Sequence, residues 1–190
     1  MLAYFKHPEI VYEYFESILL RAADPKTTNE HSIANQNEAK QKKVFALGAV
    51  CLLRCWIRTL GVNLSRWELE LDSSPHDENI LKCQTSTKDI RVKAEMLLSK
   101  TLPALVTIVD LEAKRTVFAQ AAVDASFELI ELAARATVLV HILQMSGSNS
   151  SSFTFDFDRL NISTSMVIWG DALPHIDRLL VIKQEWASAS

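Results

Sequence analysis

The chain has 190 residues, a formal net charge of −3, and only four glycines and five prolines in a composition that is 48% hydrophobic. That length suits one domain able to bury about two thirds of its unfolded surface, and the few turn residues argue against an all-β sandwich. The acidic balance and scattered basic residues lack the electrostatic footprint of a nucleic-acid binder. The expectation is all-α: one antiparallel helical bundle spanning 1–190, with about five to seven helices and flexible loops near 26–37 and 146–152.

Cys51, Cys55 and Cys83 are an odd set without disulfide-framework spacing, which points to a reducing compartment, cytoplasmic or nuclear. Sequons occur at Asn63, Asn149 and Asn161. Lys6, Glu9, Glu13 and Glu16 fill the region where a signal peptide needs an apolar stretch, so the sequons are read as chance. The longest uncharged apolar run, Val44–Leu53, falls well short of the ~18 residues of a membrane span, and no membrane span is expected.

In chain order, Pro8 suits the first position of a helix, and Asp24-Pro25 ends that helix. A polar segment, 26–37, reads as a surface loop. The next helix runs from about Glu38 to Leu60, with Gly61 as its C-terminal cap. Phe45, Ala49, Leu52, Trp56 and Leu60 with Val50, Leu53 and Ile57 make it apolar on nearly every side. It is expected to be central and buried, with Gly48 marking a close helix crossing. Trp67, Leu69 and Leu71 alternate with Glu68 and Glu70 like a half-exposed strand, with a short helix the competing reading. Ser73-Ser74-Pro75 is a breaker, and residues 77–84 form one or two helical turns. Ser86 to Asp89 resembles a capping box opening a further helix, and Pro103 forces a restart near Thr101.

Residues 117–145 carry the clearest pattern. Phe118, Ala122, Ala125, Leu129, Leu132, Ala136, Leu139 or Val140, and Leu143 recur at steps of three and four, which is the seam of a packed helix. Gln120, Asp124, Glu128, Glu131 and Arg135 form the opposite, solvated stripe, with Glu131 supporting Arg135 at i,i+4. That stripe stops before Val138, Leu139 and Ile142, so the last turns need a cover from this chain or a partner. Leu102-Pro103-Ala104-Leu105-Val106 through Asp110, followed by Val117, Ala121-Ala122 and Phe127-Glu128-Leu129, resembles one unit of a HEAT-type helical repeat. This resemblance implies an alternative architecture, a short stack of helical pairs, although no second copy occurs at a repeat-length offset. Beyond a Ser/Gly/Asn linker at 146–152, Phe153, Phe155 and Phe157 alternate with Thr154, Asp156 and Asp158. They are read as lying in a groove between helices, with a small ribbon against residues 67–71 the lesser option. A last helix is expected over about 171–186, with Pro174 in its opening turn.

Catalytic motifs are missing: no glycine-rich phosphate loop, nucleophile elbow or Ser-His-Asp pattern occurs. Cys51, Cys55, His76 and Cys83 match no compact zinc spacing, and the cysteines are read as buried small side chains. His141 is read as a hydrogen-bonded core histidine, and Asp124, Glu128 and Glu131 as surface charges. No cofactor or metal is implied. The function expected is non-enzymatic: a helical scaffold or regulatory domain that binds another protein or itself, with Val138, Leu139, Ile142, Phe153, Phe155 and Phe157 as contact residues. The alternative is a bundle enclosing a small apolar ligand, lined by Trp56, Cys55, Met96 and His141.

Overall fold

A computed structural model of the chain describes residues 8–22, 33–73, 77–112, 115–147 and 155–189, and it is an all-α bundle. Among the described residues there are five helices and no strand: α1 (Pro8–Ala22), α2 (Ile33–Ser73), α3 (Asp77–Glu112), α4 (Val117–Gly147) and α5 (Phe155–Ser188). Of the expected loop at 26–37, residues 33–37 are helical as the start of α2; Ser73 of the expected breaker ends α2, and residues 146–147 of the expected linker end α4. The remainder of these segments and Phe153 lie outside the described residues.

Helix α3 occupies the centre and packs against all four others, most extensively against α4. Cross-contacts give the directions. Gln84 Nε2 donates to the Leu143 carbonyl at 3.1 Å, so the start of α3 meets the end of α4 and the two are antiparallel. Helix α2 is antiparallel to α3, since Cys83 lies beside the Trp67 carbonyl. Helix α5 runs parallel to α3, because Ser165 reaches Glu95 while Arg178 reaches Asp110. The core follows from this arrangement. Leu97, Leu98, Leu102, Leu105 and Ile108 of α3 are sealed from water, with Leu53 and Leu64 of α2, Leu19 of α1, Leu129 of α4 and Leu179 of α5 around them.

The seam expected in α4 is the buried one throughout, from Phe118 to Leu143. Thr116 caps this helix: its hydroxyl accepts from the Ala119 N–H at 3.1 Å, satisfying a donor that the first turn leaves open. Pro8 opens α1, as its missing N–H allows.

The other boundaries differ from expectation for one reason: an inward stripe at helical spacing overrides a local stop signal. Leu60, Leu64 and Trp67 continue the inward face of α2, so the helix runs through Gly61 and takes up the period-two run beyond it. The cost shows at Leu69, which is left 68% exposed. Cys83, Thr87, Ile90 and Ala94 likewise make Ser86–Asp89 the interior of α3 rather than its start. Pro103 also sits inside α3, where it deprives a carbonyl of its donor, a defect worth about 3 kcal/mol in an isolated helix. Leu98, Leu102, Leu105 and Val106 are buried on both sides of it, and their packing outweighs that penalty. Helix α5 starts at Phe155 instead of about 171, so Pro174 is interior and no ribbon joins residues 155–158 to 67–70.

Helix α2 is not the central helix. It lies at the periphery, and Gly48 marks no crossing, since a methyl group built there would meet nothing within 4 Å. Gly48→Ala should therefore stabilise the fold by up to about 1 kcal/mol, whereas Leu105→Ala, at a sealed site, should cost about 2–5 kcal/mol. Urea titrations of the two variants check this, and a destabilised Gly48→Ala protein would contradict the open surroundings of that position.

Candidate functional site

The site grows out of how α2 and α4 face each other. Of the carboxylates read as a solvated stripe on α4, Glu131 is exposed as expected, whereas Asp124 and Glu128 meet arginines of α2. Arg54 Nη2 and Arg58 Nη2 both donate to Glu128 Oε1 at 2.7 Å, and Arg54 Nε donates to Glu128 Oε2 at 3.3 Å. Arg54 Nη1 also lies 3.5 Å from Asp124. Further along, Arg135 Nη2 donates to Glu68 at 2.7 Å and to the Ser65 hydroxyl at 2.9 Å, so it crosses to α2 rather than pairing with Glu131 on its own helix. The Glu128 carboxyl feels partial burial, which pushes its pKa up. Two hydrogen bonds and the charges of Arg54 and Arg58 act more strongly together and hold it below its ordinary value.

With Arg54 and Arg58 turned toward α4, the middle of α2 presents an uncharged outer face. Val44, Phe45, Gly48, Cys51, Leu52 and Cys55 are all exposed, with Val44 and Phe45 each 68% accessible. These residues recur every three or four positions and the row extends through Thr59 to Val62, a length of about 27 Å at 1.5 Å per residue, before the exposed Arg66 interrupts it. Beside its C-terminal half runs an open groove of about 800 Å³ between α2 and α4. Ile57, Gly61, Val62, Leu69 and Leu132 give it apolar walls, and Arg58, Arg66, Glu128, Glu131 and Arg135 form its rim.

The residues expected at the contact surface separate. Val138 and Ile142 are exposed on α4, at 58% and 50%, but Leu139 turns into the core at 8% and is unavailable to a partner. Phe155 and Phe157 fall in the first turn of α5, and their side chains, like Phe153, lie outside the described residues. The four ligand-pocket residues do not converge. Trp56 is buried against Phe15 of α1, with ring centroids 6.1 Å apart, while Cys55, Met96 and His141 are exposed on three different helices. His141 is thus a surface side chain and not a core one, and Cys51 and Cys55 are exposed because α2 is peripheral. Only Cys83 is buried, and that burial pushes its thiol pKa up. Among the described residues no cluster of His, Cys, Asp or Glu is arranged to hold a metal.

The outer face of α2 was hidden in the sequence by the excess of apolar residues on that helix. Residues 40–70 are, by length and composition alone, apolar enough to cross a membrane, which the uncharged run by itself did not disclose. In the fold the same segment buries Ala46, Val50, Leu53, Ile57 and Leu60 against the bundle and engages its arginines with α4. Comparison with protein-family models, with curated proteins and with solved structures gives no match.

The lowered pKa of Glu128 means that the ion pairs stabilise the fold above the ordinary carboxylate range and lose that contribution as pH falls through the folded-state value. Glu128→Gln should therefore be less stable than wild type at pH 7, with the gap closing below about pH 4. Thermal melts from pH 7 to pH 3 read the gap directly. A gap that stays constant over that range would show that the carboxylate charge contributes nothing.

Proposed function

We propose that this chain is a non-enzymatic helical protein-interaction domain, with a scaffold or regulatory role, and that α2 is its docking helix. The observation that carries the reading is the uncharged outer face of α2 over Val44–Cys55, where Val44, Phe45 and Leu52 stand exposed side by side, the kind of contiguous apolar surface that marks interaction sites. The adjoining groove offers apolar walls for side chains of the partner and a charged rim to set orientation.

A second copy of the chain is the first partner to test. Parallel pairing of two α2 helices would bring together the exposed Lys40, Lys42 and Lys43 of each copy, so self-association should be antiparallel. Cys51 and Cys55 lie near the middle of the row, close to where the two-fold axis of such a pair would pass. Two exposed thiols in a contact surface also favour the reducing interior of a cell as its setting.

Sedimentation velocity over a wide concentration range should show a dimer. Val44→Glu/Leu52→Glu should return it to monomer with little change in melting temperature, because both side chains are already exposed. Mild oxidation should give a covalent dimer that Cys51→Ser/Cys55→Ser abolishes. A wild-type chain that stays monomeric at high concentration and forms no cross-link would defeat self-association through α2.

A further inference from the structure

Cys51 and Cys55 are both exposed, one helical turn apart on the outer face of α2. Residues four apart on a helix are neighbours, with Cβ atoms about 5–6 Å from each other. That spacing lets two side chains grip one metal ion, as i,i+4 histidine pairs grip zinc. Sulfurs bonded to a tetrahedral zinc at about 2.3 Å stand about 4 Å apart, which thiols on adjacent turns reach by leaning together. One chain supplies only half of such a site. Among the described residues no third His, Cys, Asp or Glu joins the pair, and Cys83 is buried elsewhere.

The place of the two cysteines in the exposed row supplies the other half. Val44 and Val62, at its two ends, are about five full turns apart and mark a straight line along the face. Cys51 and Cys55 fall about 20° to either side of that line. The midpoint of the row is the Leu53 position, halfway between them. An antiparallel second copy that covers the row from end to end therefore has its two-fold axis at that position, where it sets its own Cys51 and Cys55 against this pair. With helix axes about 8–10 Å apart, four sulfurs surround the axis, and a single ion lying on it is shared equally.

We propose, resting on the self-association of α2, that Cys51 and Cys55 of two copies form a four-cysteine site for one Zn2+ ion on the two-fold axis of the dimer. On binding, four thiols release their protons to solvent and four zinc–sulfur bonds form, with no change in oxidation state. Leu52 of each copy borders the sulfurs on the same face and closes them from water. Because one copy holds only two of the four ligands, the ion binds the dimer in preference to the monomer, and zinc supply sets how much of the chain is paired.

Sedimentation velocity of the full chain, kept reduced with a phosphine, tests this in metal-free buffer and with added Zn2+. The dimer dissociation constant should fall at least about tenfold with Zn2+. Native mass spectrometry should count one Zn2+ per two chains, and Co2+ in its place should show the visible absorption of a tetrahedral four-thiolate centre. Cys51→Ser/Cys55→Ser should abolish all three effects and keep the metal-free dimer, whereas Val44→Glu/Leu52→Glu should lose the dimer and the four-thiolate spectrum together. A dimer that Zn2+ does not tighten, one Zn2+ per chain, or undiminished Zn2+ binding by the double serine variant would overturn the zinc site and leave self-association standing. A wild-type chain that is monomeric with and without Zn2+ would overturn both.

Discussion

The ion-pair seam between α2 and α4 decides which way both helices face. Arg54 and Arg58 meet Asp124 and Glu128 on one side of α2, and the same seam continues through Arg135 to Glu68. Those charges flank the core and pair across it while remaining partly exposed. A helix as apolar as α2 has few charged residues to place, and most of those near its middle are used against α4. The outer surface is left with Val44, Phe45, Cys51, Leu52 and Cys55. With the seam formed, an apolar exterior is the consequence of a limited number of charges, and the cost of leaving it in water is what motivates the proposed docking role.

The fold class and the packed seam of α4 were legible because both rest on periodicity. Phe118 to Leu143 repeat over seven turns, and no competing pattern covers the same residues. Helix boundaries were less legible. Gly61, Ser86 and Pro103 each carry a genuine local signal worth about 1 to 3 kcal/mol, but Leu64, Thr87 and Leu102 place buried side chains across each signal. Local propensity loses where several sealed side chains depend on continuity.

Orientation was the least legible property. The carboxylates of α4 have the spacing of a solvated stripe whether they face water or a row of arginines on another helix, and sequence spacing alone does not separate the two. The same holds for α2, whose apolar residues are too numerous to show which of them face inward. Centrality went instead to α3, whose Thr87, Arg91, Glu95 and Thr101 dilute its hydrophobicity although all four are buried. His141 and Leu139 show the reverse error: neighbours on one helix turn, one lies at the surface and the other in the core.

The outer face of α2 and the inner face of α5 differ in their surroundings. Among the described residues nothing covers the outer face of α2, and covering it would gain apolar burial without disturbing the core. Helix α5 is seated: Ala172, Leu179 and Ile182 are buried, and Ile168, Trp169, Ile176 and Trp186 pack half-buried against the same core. That seat takes in the buried Glu95 of α3, to which the Ser165 hydroxyl donates. All five helices share one core, and the apolar surface left to water lies on their outer faces.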